Sequence, residues 1–559
     1  MQRVWGFGVN VYALRSARNW GIGDFGDLRV LIEQAARLGA GIVGVNPLHA
    51  LRWTDPEAAS PYMPVSRFFL NPMYIDVEAV PEYASDATTR ALVQSAAFRD
   101  ELERARASPT VRYDLVGACK RRALERLYAA FCRTAPVERQ RAFGRFTMRD
   151  PLRLQRFARY EALSEHFSGD RARRAWPMWP EALRDPANDA VERFASDAHQ
   201  RAGFFAYLQF VADEQLAAAA EATDGMAIGL YRDLALSVGF DSADVWSDPA
   251  HYDADHTIGA PPDALGPLGQ NWDLAPLDPA ALEREDGATF AALLRANMRH
   301  AGALRIDHVM SLERLFWIPR GSPPSAGRYV AYPFERLRAI VARESASAGC
   351  LVVGEDLGTV PDGFREAMRR DAILSYRVLL LERDAIGAFH APGEYPSNAL
   401  ATATTHDLPT LTGWVLGRDL DARLAAGLID EDEARAGRNL RRVHAMRLLE
   451  ALYAAGELAD ALVEPLFQAF DARRTERDVY APLIAAAYRF LARTPARIVI
   501  LPLDDACGEL DQVNVPGTID EYPNWRRKNS VAVEALALDE RIANLAAELN
   551  SILRGGSST

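Results

Sequence analysis

The stretch ALRIDHVM, residues 303–310, decides the reading of this chain. Successive side chains of a β-strand point to opposite faces. Leu304 and Ile306 therefore share one face, suited to packing against helices. Arg305 and Asp307 share the other, which fits the interior of a closed barrel. Seven more short apolar runs with polar C-terminal ends surround it: WGFGVNVYAL (5–14), GIVGVNPLHA (41–50), MAIGLYRDLAL (226–236), LVVGEDLG (351–358), ILSYRVLLLE (373–382), ATATTHDLP (401–409) and ARIVILPLDD (496–505). Ala- and Arg-rich helical stretches separate them. Strands alternating with helices imply a parallel sheet covered by helices. Eight such strands imply an α/β fold of the (β/α)8 TIM barrel type, with an open doubly wound sheet as the alternative.

The spacing is uneven. Residues 81–223, between the second and third runs, are rich in Ala, Arg, Glu and Leu with few strand-like runs. They read as a large helical insertion after the second strand. The barrel then takes residues 1–80 and 224–559, with further loop subdomains. A separate helical domain is the alternative. Residues 529–553 carry helical periodicity, and RGGSST at 554–559 reads as a frayed tail.

The 559 residues are 49% hydrophobic and 25% charged, which excludes disordered, collagenous and coiled-coil classes. Lys and Arg number 64 against 76 Asp and Glu, a net charge of −12. That acidity argues against nucleic acid as a partner. The four cysteines, Cys119, Cys132, Cys350 and Cys507, form no CxxC pair and read as reduced thiols of a cytoplasmic protein. No secretory leader and no membrane-spanning run is expected.

GIGDFG (21–26) matches GxGxxG, but a dinucleotide site needs an acid about 20 positions further on, and GVNPLHA offers none. A glycine-rich turn before a helix is the favoured reading. The chemistry collects instead at the strand ends. A guanidinium beside a carboxylate favours its charged form, and a positioned, ionised Asp suits a nucleophile. A structural Arg–Asp pair is the competing reading for Arg305 and Asp307. LVVGEDLG ends in Glu355 and Asp356, and ATATTHDLP ends in His406 and Asp407. In a parallel barrel these ends share the catalytic face. Two suitably spaced carboxylates are the usual equipment for glycosidic bond cleavage.

RIDH, GEDLG and THD, in that order, resemble the α-amylase superfamily. NWGIGDFGDL (19–28), SPYMPVSRFFLNPMYI (60–75), GAPPDALGPLGQNW (259–272) and VNVPGTIDEYPNWRRK (513–528) are similar to motifs of the 4-α-glucanotransferases, or amylomaltases, within it. The resemblance implies transfer of α-1,4-glucan segments to glucose or maltooligosaccharide acceptors. It implies a retaining mechanism with Asp307 as nucleophile, Glu355 as acid/base and Asp407 as the third carboxylate. Tyr62, Asp233, Arg305, His308 and His406 are implied around the sugar ring, and Gln270 and Trp272 on a loop closing over the glucan. Asn524 belongs to the C-terminal motif. Trp53 and Trp246 are further candidate sugar platforms in predicted catalytic-face loops. This chemistry requires no organic cofactor and no metal.

Two departures stand out. Many relatives read GQxWGxP, whereas this chain has Asp273 after the Trp. Relatives with extra N-terminal domains exist, and the functions of such domains are expected to be absent here. The rival functions are a retaining α-glucan hydrolase on the same barrel, a catalytically silent glucan-binding protein, and a barrel metalloenzyme built on Asp307, His308 and His406.

Overall fold

The computed structural model describes residues 2–262 and 268–555. The tail beyond 555 and residues 263–267 of the GAPPDALGPLGQNW motif lie outside the described residues.

All eight apolar runs form barrel strands. They are β1 (Val4–Val9), β2 (Ile42–Val45), β3 (Gly229–Leu234), β4 (Ala303–Ile306), β5 (Leu351–Gly354), β6 (Leu374–Val378), β7 (Ala399–Thr402) and β8 (Ile498–Pro502). Every pair is parallel, and β1 pairs with both β2 and β8, so the barrel closes. Its interior is packed by Val4, Ile42, Tyr231, Ala303, Val353, Leu374, Leu400 and Ile498. Leu304 and Ile306 point outward into a second core, with Leu293, Leu294, Ile340 and Val341 of the covering helices. The inside-outside alternation expected of ALRIDHVM is the one observed.

Register then aligns the chemistry. Asp233 on β3 lies beside Arg305 on β4, and Arg305 lies beside Val353 on β5. In-register neighbours of a parallel sheet point to the same face, so acid and guanidinium meet inside the barrel mouth.

Between β2 and β3 the chain runs through helices from Pro81–Ser85 to His199–Glu221. The last of these packs against the first barrel helix, Phe25–Arg37. Phe98, Leu124, Phe204 and Leu208 of this region share one apolar core with Leu28 and Leu31 of that helix. A small antiparallel sheet rises from the loops after β3 and β4; its strands include His256–Ala260, Gln270–Ala275 and Arg314–Pro319.

The glycine-rich turn 21–26 leads into the helix Phe25–Arg37. Asp24 caps that helix in a reciprocal pair with Asp27. A Cβ at Gly23 would sit 1.9 Å from the Val11 carbonyl oxygen, so close backbone approach explains the glycine there. The C-terminal α-helix begins only at Glu540. Before it, the Asn529 N–H donates to the Ala13 carbonyl, and the Val533 N–H to the Arg15 carbonyl. The Val533 N–H is thereby diverted from the Asn529 carbonyl that an α-helix beginning at 529 would offer it, and the chain instead makes a 3-10 helix at Val533–Leu538. All four cysteines are free, and among the described residues no helix is long and apolar enough to cross a membrane.

Candidate active site

Four of the strand ends deliver the polar groups. Asp233 closes β3, Asp307 follows β4, Glu355 follows β5, and His406 with Asp407 follows β7. Arg305 bridges two of the acids. Its guanidinium donates to both Asp233 oxygens at 2.8 and 2.9 Å and reaches Asp307 Oδ1 at 2.9 Å.

Directly after Asp307 the backbone turns sharply. His308 takes φ 47°, a left-handed conformation that costs a non-glycine residue energy and recurs at functional sites. This turn aims the His308 N–H at Glu355 Oε2, 2.9 Å away. The Leu357 N–H donates to Glu355 Oε1 at 2.7 Å. Burial pushes the Glu355 carboxyl up, and the Asp307 charge adds to that. Arg305 and the two backbone donors oppose the shift without cancelling it, and the group is raised to about 7. Asp356 points the other way. It is fully buried and accepts from Ser375 Oγ, the Tyr376 N–H and Arg365, which knits β5 to β6. The adjacent acids thus divide into one facing the site and one facing the wall.

Asp407 keeps half of its side chain open to the cleft. Its surroundings tend to raise its carboxyl, but His406 at 3.2 Å and Asn514 at 2.7 Å outweigh that and hold it below the usual range. His406 is raised in turn: burial works against its charge, and Asp407 more than compensates. Its Nδ1 lies 3.1 Å from the Tyr62 hydroxyl, and the two rings stack with centroids 4.3 Å apart. Tyr62 donates to Asp233 at 2.6 Å and receives a hydrogen bond from Asn46. Burial holds His308 down at about 4, so its imidazole is neutral. Trp272 meets His308 edge-on at 5.4 Å, and its indole N–H donates to Gln270. Asp233, Arg305 and His406 line a cavity of about 90 Å³ together with Asn46, Tyr231 and Tyr376.

The structure therefore gathers Tyr62, Asp233, Gln270, Trp272, Arg305, Asp307, His308, Glu355, His406 and Asp407 into one mouth. Asn524 behaves differently. It accepts from the Val515 N–H and donates to the Thr518 carbonyl and hydroxyl, so its amide shapes its own loop. Its neighbours reach the site instead: Asn514 holds Asp407, and the Trp525 ring tilts against both Tyr62 and His406. Asn514, Trp525 and Asn46 were not singled out from sequence, although the first two sit inside the quoted C-terminal motif. Trp246 and Trp53 are not sugar platforms. Trp246 is fully buried against Trp179 and Tyr160, and Trp53 is buried beneath Arg121. Among the described residues, no three His, Cys, Asp or Glu side chains group as a metal site requires. His406 has its two ring nitrogens beside Tyr62 and Asp407.

The 4-alpha-glucanotransferase family profile matches residues 9–532. This chain belongs to that family. It is 36% identical over 558 residues to the 4-alpha-glucanotransferase of Haemophilus influenzae, covering 98% of this chain and 78% of the relative. It is also 36% identical over 565 residues to the enzyme of Mycobacterium tuberculosis, covering 98% and 74%. The amylomaltase structure from Corynebacterium glutamicum superposes with a TM-score of 0.85 at 31% identity, over 98% of this chain and 75% of that one. The Streptococcus agalactiae amylomaltase, solved in complex with acarbose, shares the fold at a TM-score of 0.76 and 17% identity, over 99% of both chains. The chain is thus a 4-α-glucanotransferase on a (β/α)8 barrel.

Asp273, the departure from GQxWGxP, takes φ 53° while its N–H bonds to the Asn271 side chain at 2.9 Å. The glycine-like backbone is kept although the glycine is not. Left-handed backbone costs an ordinary residue about 1–2 kcal/mol, and Asp somewhat less. Asp273→Val is therefore expected to destabilise the chain by about 1–2 kcal/mol relative to Asp273→Gly, read from urea unfolding midpoints. Equal midpoints for the two variants would show that the loop does not need this conformation.

Proposed function

We propose that this enzyme works by a retaining double displacement in which Asp307 is the nucleophile and Glu355 the acid/base. One observation carries the reading. Two carboxyls at neighbouring strand ends stand in opposite environments, Asp307 on the Arg305 guanidinium and Glu355 raised to about 7. A carboxylate held by a guanidinium suits a nucleophile, and a buried carboxyl raised toward neutrality suits an acid.

In the first half-reaction an Asp307 oxygen bonds to the anomeric carbon and the bond to the leaving glucan oxygen breaks. Glu355 gives that oxygen its proton. In the second, the Glu355 carboxylate takes the proton of an acceptor hydroxyl, whose oxygen displaces Asp307. Two inversions preserve the anomeric configuration. Asp407, braced by His406 and Asn514, binds sugar hydroxyls. Tyr62, Asp233, Arg305, His308 and His406 surround the ring, and Gln270 and Trp272 cover the glucan. Asn524 acts through the shape of its loop.

The substrates of this reading are α-1,4-glucans, with glucose or a maltooligosaccharide as acceptor. The four free cysteines support a reducing, cytoplasmic setting. The shared apolar core supports treating residues 81–223 as an insertion on the barrel rather than an independent domain.

Water outnumbers a millimolar acceptor by between about four and five orders of magnitude, a handicap of roughly 6 kcal/mol. Holding the acceptor in attack geometry can return about 7–11 kcal/mol. Incubation with maltotriose should therefore yield glucose and longer oligosaccharides while total reducing ends stay nearly constant. Reducing ends that rise with every bond cleaved would make the enzyme a hydrolase. No change on any α-1,4-glucan would favour the binding-protein reading.

A further inference from the structure

Arg232 stands next to Asp233 on β3 and points out of the barrel. It is buried, and it donates to the Ala296 and Arg299 carbonyls at 3.2 and 3.0 Å and to the Asn297 side chain at 3.3 Å. All three acceptors are neutral groups at the C-terminal end of the helix Ala288–Met298. Burial and the nearby Arg299 pull Arg232 down to about 10, which leaves it charged at neutral pH.

Beside it a cavity of about 310 Å³ opens between that helix and the helical insertion. Four more guanidiniums line it: Arg149, Arg153, Arg295 and Arg299. Their counter-charges are few. Asp213 is shared by Arg149 at 2.5 Å, Arg299 at 3.4 Å and His300 at 3.3 Å. Asp150 takes Arg153 at 2.9 Å. Glu344 takes Arg295 at 3.2 Å and also serves Arg343 at 3.0 Å. Four of the five guanidiniums thus divide three carboxylates among themselves, two of which also serve Arg343 and His300, and Arg232 has none, in a chain whose net charge is −12. A concave site with a surplus of one sign focuses the field and attracts the opposite charge.

The aromatic wall prepares the cations. Arg153 lies over the Phe68 ring at 3.8 Å, and Arg149 over Phe146 at 5.4 Å. A guanidinium over a ring face keeps the N–H donors of its own plane directed sideways, where they can meet phosphate oxygens. The cavity volume suits a small molecule rather than a polymer.

We propose that this cavity binds a phosphorylated small molecule, a phosphate monoester whose phosphoryl group meets Arg149, Arg153 and Arg299. The carrier of the phosphoryl group is a sugar or a nucleoside. The site is separate from the catalytic mouth, since Arg232 and Asp233 face opposite sides of one strand.

Calorimetric titration of the full chain tests it, at ionic strength fixed with potassium chloride, using inorganic phosphate, glucose 1-phosphate and AMP. At least one ester is expected to bind below about 1 mM and about tenfold more tightly than inorganic phosphate. A tighter sugar ester names the sugar class, and a tighter AMP names the nucleotide class. The double variant Arg149→Gln, Arg153→Gln should lose about tenfold or more in that affinity while maltotriose transfer is kept. Asp213→Asn removes a competing anion, so the ester should raise its melting temperature more than that of the parent. That comparison decides the matter if the double variant does not fold. Absence of ester binding, unchanged affinity in the folded double variant, or equal melting shifts for Asp213→Asn and the parent would each overturn the site.

Discussion

Asp307→Ala is expected to lower kcat/KM on maltotriose by roughly 10⁴-fold or more, the scale seen when one member of a catalytic unit is removed. The fold should survive. Asp307 stands past the end of β4 and contributes nothing to the apolar layer that fills the barrel. Arg305 retains its two contacts with Asp233, so the guanidinium is not stranded in the interior. Without the carboxylate no ester can form, and acid catalysis by Glu355 has no nucleophile to work with. Initial rates from product chromatography, beside a circular dichroism melt, separate lost chemistry from lost structure. A folded Asp307→Ala protein with transfer at the parental rate would falsify the nucleophile assignment.

The barrel was legible because its strands announce themselves twice. Each is a short apolar run, and each ends in groups that a buried run does not carry without a partner. Register supplied what sequence spacing could not. Asp233 and Arg305 are 72 residues apart in the chain, yet in-register pairing places them at 2.8 Å. The roles of Asn514 and Trp525 were hidden for a related reason. Asn514 is 107 residues from Asp407, and an amide in a proline- and glycine-containing loop carries no local sign of where that loop will fold. Asn524, read from the same motif, proved to be the residue that fixes the loop's shape.

Aromatic residues were the least legible class. Trp246 and Trp272 both follow barrel strands in loops over the catalytic face. One fills a core with Trp179, and the other stands over His308. Indole burial stabilises a core as readily as it lines a sugar groove, so residue type alone cannot separate the two. The helical reading of 529–553 appears as a 3-10 helix at Val533–Leu538 and an α-helix from Glu540, and it misses the extended start, because periodicity reports which side chains face inward. It says nothing of backbone donors already bonded to the barrel.

Glu355→Gln is expected to split the two half-reactions. The amide keeps the shape of the side chain and can still meet one backbone donor through its carbonyl oxygen. It cannot give a proton to a leaving oxygen. On maltotriose, kcat should fall by about 10²–10⁴-fold, the range attributed to general acid–base catalysis. An α-glucosyl fluoride needs little protonation to leave, so it should still esterify Asp307. Breakdown of that ester needs a base, and glutamine is none, so protein plus one glycosyl unit should accumulate in intact-mass spectra. The pH profile gives an independent reading. Glu355 is raised to about 7 and must be protonated to begin the reaction. In the parent, kcat/KM on maltotriose should therefore hold on the acid side of about 7 and fall as pH rises through it, approaching tenfold per unit. That limb should be missing from the residual activity of Glu355→Gln. Burial and the Asp307 charge set the limb's position, so Asp307→Asn should move the Glu355 titration downward when followed by carboxyl NMR. A parental profile without a limb near 7, together with a Glu355→Gln protein that neither slows on maltotriose nor traps the fluoride, would place the proton on another group.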